Sequence, residues 1–231
     1  PGTTADTVPS SSSPPSSPSS PSSPPPERLR LARALLDALD PARTAYRHRS
    51  VVRLPGDPLG EPVAWTDCSG LLNALLERAD PATWAALRAA SPRGRPLAID
   101  YVAAIGRGDG FAPVARIDAI APGDVLAIAY PPGSADTGHV VLVDAPPAPF
   151  DGPPRRDGWS QWALPVIDAT ASPHGPDDAR SGPPARTGAG RGTMRLYADA
   201  DGRPTGHAWS LGSRSVLRTA FERPIVIGRP L

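Results

Sequence analysis

One cysteine stands in the whole chain, Cys68, in the run Trp65-Thr66-Asp67-Cys68-Ser69-Gly70-Leu71-Leu72. A lone thiol has two ordinary uses: a small buried apolar group, or a nucleophile in its thiolate form. Thr66 or Asp67 can cap a helix that continues through Leu71, Leu72, Leu75 and Leu76. Cys68 then falls in the first turn, where unpaired N–H groups and the helix dipole favour an anion. Gly70 lets another backbone or a substrate come close. A thiol nucleophile needs a base, and the base an orienting group. His139 opens the apolar run Gly138-His139-Val140-Val141-Leu142-Val143 and can project from a sheet edge toward that helix start; the alternative is a surface or capping histidine. Asp168 stands inside Val166-Ile167-Asp168-Ala169-Thr170. A buried charge without a partner is expensive, so Asp168 is expected either on the Nδ1–H of an imidazole, as in hydrolase triads, or on backbone amides at the strand end. His48 precedes Cys68 by a loop and is a candidate for a supporting role near the thiol. His174 in a loop and His207 beside a turn are given no chemical role.

Other features weigh less. Asp199-Ala200-Asp201-Gly202 has part of a calcium-loop pattern but lacks its later acidic positions, and a hairpin turn explains it. Trp159, Trp162 and Trp209 suit core or rim positions better than a sugar platform. Arg155-Arg156 reads as solvated. No metal or organic cofactor is called for, and one thiol rules out a zinc site built on several thiolates.

The elements that must position these groups are legible in outline. Glu27–Leu39 places Leu29, Ala32, Leu35, Leu36 and Leu39 at helical spacing, ended by Pro41. Further helices follow over the Cys68 segment, from Pro81 (PATWAALRAA) and over Pro96–Ile105. Beyond residue 111 come short apolar runs: Val125–Tyr130, His139–Val143, Leu164–Ala169, Met194–Ala198, His207–Leu211 and Pro224–Ile227. Asp201–Gly202 marks a hairpin. Helices first and strands second predicts an α+β fold, N-terminal helices packed on an antiparallel β-sheet. Ala145–Trp159 and Pro173–Gly192, rich in Pro, Gly and charge, read as loops. They follow the His139 and Asp168 strands and are expected to line the cleft.

Composition sets the outer bounds. The chain has 231 residues with 33 Pro and 22 Gly, and its net charge of +1 gives no footprint for nucleic acid. No apolar run approaches the roughly 18 residues of a membrane span. All 24 basic residues are Arg, a bias of composition to which no function is attached. Residues 1–26 hold nine Pro and ten Ser, too little apolar surface to offset ordering entropy, and are expected to be a disordered linker or stalk. Residues 27–231 form one domain. A stalk behind a removed export signal or lipid anchor is the expected context, which places the domain outside the cytoplasm with attachment to a cell envelope through the missing N-terminus; a linker to another domain is the alternative.

Asp67-Cys68-Ser69-Gly70-Leu71 resembles the Asp-Cys-Ser-Gly-Leu signature of the NlpC/P60 cysteine peptidases. Pro122-Gly123-Asp124-Val125 is similar to their Pro-Gly-Asp-Leu step, Gly138-His139-Val140 to their His strand, and Tyr46 to their Tyr ahead of the signature. The resemblance runs from about Tyr46 to Thr170. It implies a papain-like α+β fold with Cys68 as nucleophile, His139 as base and Asp168 as third member, acting on peptides such as peptidoglycan stem peptides. It also implies that Tyr46 and Asp67, with Ser69 beside them, contact substrate. Asp168 stands where the family commonly has His and is closer to the Val-Asp-Ala-Thr segment of the transglutaminase-like branch. Arg47-His48-Arg49 replaces the usual Gly-Gly, and Thr193–Leu231 lies outside the match. An acyltransferase and a non-catalytic envelope-binding domain are the alternatives to a thiol hydrolase.

Overall fold

The computed structural model describes residues 24–231. The expectation of disorder for residues 1–26 therefore lies outside the described residues, apart from the last three. Four helices precede most of the strands: α1 (Glu27–Ala38), α2 (Cys68–Ala79), α3 (Pro81–Ala90) and α4 (Ala98–Arg107). The strands are β1 (Thr44–Tyr46), β2 (Val51–Arg53), β3 (Val63–Thr66), β4 (Phe111–Pro113), β5 (Val125–Ala129), β6 (Gly138–Val143), β7 (Ala148–Phe150), β8 (Ser160–Thr170), β9 (Gly188–Ala198), β10 (Pro204–Ala208), β11 (Arg218–Thr219) and β12 (Ile225–Pro230). The fold is α+β, as the order of elements predicts.

A nine-stranded sheet runs β11-β10-β9-β8-β6-β5-β12-β4, with β7 also paired to β8, and every pairing in it is antiparallel. A small second sheet, β1-β3-β2, carries the chain into Cys68, with β1 parallel to β3. Strand alternation sorts the apolar residues of the large sheet onto two faces. Val125, Ala127, Val140, Leu142, Ile167 and Ala169 pack with the leucines of α1 and α2. Leu126, Ile128, Val141, Val143, Val166 and Leu196 form a separate cluster on the other face. α2 is buried along nearly its whole first two turns, which fixes the height of Cys68 against β6 and β8.

The Pro122-Gly123-Asp124 step is a structural joint. Gly123 has φ 90°, its carbonyl accepts from buried Arg28 Nε at 2.7 Å, and Asp124 takes both ends of the Arg229 guanidinium at 2.8 and 2.9 Å. The turn thus ties α1 and the C-terminal strand to the start of β5.

Several expected boundaries shift. β8 is longer than Leu164–Ala169, β10 stops at Ala208 instead of running to Leu211, and β12 extends to Pro230. β7 lies inside Ala145–Trp159, and β9 starts at Gly188, inside Pro173–Gly192, so neither segment is wholly loop. Gly188-Ala189-Gly190-Arg191-Gly192 offers no side-chain alternation to read, yet it pairs residue by residue with Val166–Thr170. β1 to β4 and β11, of two to four residues each, carry too short a pattern to detect.

Candidate active site

Cys68 is the first residue of α2 and only 5% exposed. Asp67 caps the helix: its Oδ1 accepts from the Gly70 amide at 2.8 Å and from Ser69 Oγ at 3.1 Å. The same oxygen meets the Arg95 guanidinium, and its Oδ2 lies 3.4 Å from His48 Nδ1. The Cys68 and Ser69 amides make no hydrogen bond to another described residue. They are the free donors that a helix start leaves. Gly70 permits a close approach, since a Cβ there would run into the hydroxyls of Ser50 and Thr66.

His139, second residue of β6, and Asp168, near the end of β8, are both buried, and His139 Nε2 lies 2.6 Å from Asp168 Oδ2. The contact is through Nε2, not the Nδ1 expected from hydrolase triads; Nδ1 is the nitrogen left for the thiol. Burial pulls the His139 pKa down. The Cys68 charge, the Asp168 hydrogen bond and a hydrogen bond with Cys68 outweigh it and raise the value to about 10. Burial likewise opposes ionisation of Asp168. The charges of His174 and Arg180, with hydrogen bonds from both imidazoles, nevertheless hold its carboxyl well below the usual range.

The largest departure from expectation is His174. It is not a bland loop residue: it is 3% exposed and reaches the same carboxylate oxygen, with Nε2 2.9 Å from Asp168 Oδ2. Its Nδ1 donates to the Trp209 carbonyl at 2.7 Å, and its ring stacks on the Trp209 indole with centroids 4.1 Å apart. Trp209 in turn stands edge-on to His139 at 4.8 Å. As expected for a core or rim residue it packs against the second apolar cluster and borders the large cavity, and it also sits between two imidazoles. Arg180 Nη1 donates to Asp168 Oδ1 at 2.8 Å, and Arg180 Nη2 to Asp178 Oδ2 at 2.7 Å.

This loop fits over Asp168 because β9 is bare there. A Cβ on Gly190 would lie 2.8 Å from Arg180 Nε, and one on Gly192 would lie 2.7 Å from His174 Cδ2. The alternate glycines of 188–192 clear the space that His174, Asp178 and Arg180 fill.

His139, Asp168 and His174 offer two imidazoles and a carboxylate within 4.8 Å of one another, a donor set that also suits transition metals. Here both Nε2 atoms sit at hydrogen-bond distance from one oxygen and Arg180 holds the other. A cation would have to displace both bonds beside a guanidinium, so the group fits a hydrogen-bonded network better than an ion.

Two cavities flank the pair. One of about 300 Å³ is lined by Cys68, Asp67, Ser69, His48 and Arg95. The other, of about 890 Å³, is lined by His139, Thr170, His207, Trp209, residues between Ser210 and Arg218, and Arg223. Tyr46, Asp136 and Gly138 border both. Burial, then the charges of Cys68, Asp136 and Asp67, push the Tyr46 hydroxyl pKa up, so it stays a proton donor. The expected substrate contacts Tyr46, Asp67 and Ser69 therefore do meet at the thiol, although Asp67 is already engaged by the cap and Arg95.

The loop expectations need correction. Ala145–Trp159 borders a separate surface hollow around Phe150 and Trp162, and Pro173–Gly192 reaches the large cavity only at Pro176. The wall comes instead from the segment after β10, which Arg195 clips by donating to the Leu211 and Gly212 carbonyls. Elsewhere expectation and structure agree: Asp199 Oδ1 accepts from the amides of Asp201 and Arg203 in a hairpin turn, and Arg155 pairs with Asp151 on the surface.

The chain is similar to uncharacterized protein R653 of Acanthamoeba polyphaga mimivirus, 34% identical over 218 residues that span 88% of this chain and 96% of the viral one. It belongs to the same family as that protein. No known family profile matches the chain. No solved structure matches it.

Proposed function

We propose that this chain is a thiol hydrolase of amide bonds, a cysteine peptidase or amidase of papain-like type with Cys68, His139 and Asp168 as its triad. The observation that carries the reading is the buried 2.6 Å contact from Asp168 to His139 Nε2, with the other nitrogen of that ring left to a thiol at a helix start. In this reading His139 accepts the Cys68 proton, and the resulting imidazolium faces the thiolate. The thiolate attacks the substrate carbonyl. The Cys68 and Ser69 amides hold the oxyanion, each such donor being worth about 3 kcal/mol. His139 gives its proton to the departing amine as the C–N bond breaks. Water, deprotonated by His139, then splits the thioester and restores the thiol.

Peptides are the proposed substrates, peptidoglycan stem peptides among them. The proposed place is outside the cytoplasm, a reading that the Pro/Ser-rich composition of residues 1–26 supports. The test is alkylation of the single thiol by iodoacetamide, followed by intact mass. In the parent it should proceed at pH 6, and His139→Ala should slow it by at least about tenfold. An unreactive thiol, or one indifferent to His139, refutes the triad and favours a binding domain. Mass analysis of products with and without an added amine separates hydrolysis from acyl transfer.

A further inference from the structure

We propose that the larger cavity beside His139 is an anion subsite that takes a carboxylate-bearing arm of the ligand, with Arg218 and Arg223 as its binding groups and Arg214 at its rim. The name substrate for that ligand rests on the hydrolase reading above; the binding itself does not.

The three arginines line this cavity, and none of them has a described carboxylate within ion-pair reach. Asp136 is the only acid in the wall, and it lies on the border shared with the Cys68 side, 3.8 Å from His48. Glu222, next to Arg223, is outside the lining and is taken up by the Thr219 amide and hydroxyl at 2.9 and 3.0 Å. On the Cys68 side the acids have basic neighbours, Asp67 with Arg95 and Asp136 with His48, whereas the basic charge of the larger cavity comes from Arg218 and Arg223.

The basic half is built rather than loose. Arg223 lies over the Tyr130 ring at 4.2 Å. That contact fixes the plane of the guanidinium while its N–H edge makes no side-chain hydrogen bond, the geometry that suits bidentate carboxylate capture. Arg218 sits in β11, paired with His207 of β10. The wall between them is pinned by Ser210 N to Ser215 Oγ at 2.9 Å and Ala220 N to the Thr205 carbonyl at 2.8 Å. His207 lines the same cavity, is 3% exposed, and its Nδ1 has no partner among the described residues. Burial first, then the charges of Arg223, His139 and Arg218, lower its pKa to about 3. It therefore remains a neutral imidazole beside Arg218 and Arg223, whose charge Glu222 offsets only in part.

The test uses the full chain carrying Cys68→Ala, so that nothing is turned over, and titrates three blocked peptides while following Trp fluorescence. Acetyl-Ala-Glu-Ala-amide offers a side-chain carboxylate, acetyl-Ala-Ala-Ala a terminal one, and acetyl-Ala-Gln-Ala-amide none. At least one carboxylate peptide should bind about tenfold more tightly than the Gln peptide, and which one does identifies the carboxylate's source. The preference should vanish in Arg218→Gln/Arg223→Gln at unchanged Tm. Equal binding of all three, no saturation by any up to about 10 mM, or a preference that survives the double variant overturns the proposal. Alkylation of Cys68 in the parent is scored separately. A reactive thiol without a carboxylate preference sinks the subsite alone, and a preference beside an unreactive thiol sinks the hydrolase alone.

Discussion

Asp168→Asn removes one charge and keeps the shape, and the structure says why that small change should be severe. Asp168 is fully buried and receives three donors: His139 Nε2 and His174 Nε2 on Oδ2, and Arg180 Nη1 on Oδ1. An amide has one oxygen. If its nitrogen replaces Oδ1 it meets Arg180; if it replaces Oδ2 it meets both imidazoles. Either orientation sets donor against donor and leaves buried cations without their counter-charge. Removing one partner from such a group costs about 3–5 kcal/mol, a large share of the roughly 5–15 kcal/mol that holds a domain together. For a chain of this size that is a Tm loss of roughly 10 °C or more.

The acid limb gives a second readout. The folded Asp168 pKa is depressed, so its contribution is present above the unfolded value near 3.8 and is lost as pH falls through the lower folded value. The parent should therefore lose stability below pH 4, and the variant should lack that component. The reactive pair should weaken as well, because the Asp168 hydrogen bond and charge help to raise the His139 pKa. Each pK unit lost is about tenfold. The assays are denaturant unfolding between pH 2 and 7 and alkylation of Cys68. A stability loss under about 1 kcal/mol, or an unchanged acid limb, would refute the charge network.

Three shorter tests bear on the same geometry. Gly192→Ala places a methyl 2.7 Å from His174 Cδ2 and beside Asp178, so it should cost about 1–3 kcal/mol and slow Cys68 alkylation; ordinary reactivity would separate that loop from the thiol. Followed by NMR, His207 with its pKa near 3 should show no titration between pH 5 and 8. His139 should change only as pH approaches about 10, because its pKa is raised; the stability it contributes is full below 6.5 and lost through about 10. A midpoint near 6.5 for either ring would refute its environment.

The order of elements, the four helices and the core strands were legible because each rests on a local pattern. Leu29, Ala32 and Leu35 repeat at helical spacing, and Val140 to Val143 form an apolar run of strand length. Cys68, His139 and Asp168 were legible as candidates for a related reason: each is an odd residue at the end or inside an apolar run. His174, Arg180 and Trp209 were not, because their burial depends on what lies opposite. Nothing within Pro173–Gly192 states that Asp168 will need three donors, nor that Gly190 and Gly192 will clear space for them across a strand pair. The expected Nδ1 contact failed likewise, since which ring nitrogen meets a carboxylate is set by how the side chains are placed in the fold and not by residue type.

The C-terminal stretch outside the motif match is part of the same machine, and that has a consequence for truncation. β12 lies between β5 and β4, interior to the sheet and not at its edge. Its Val226 packs on the helix-side cluster, Ile227 is buried in the opposite one, and Arg229 grips Asp124 at the turn into β5. Losing it exposes the facing edges of β4 and β5 and removes Ile225, Val226 and Ile227 from their clusters. Full burial of such a side chain is worth about 1.5–3 kcal/mol, and partial burial proportionately less. The sum with the lost ladder approaches the stability of a whole domain. A chain ending at Pro224 should therefore fail to give a cooperative unfolding transition, although Cys68, His139 and Asp168 are all retained. A truncated chain that still unfolds cooperatively and still alkylates at the parent rate would show that residues 225–231 are an appendage to the sheet.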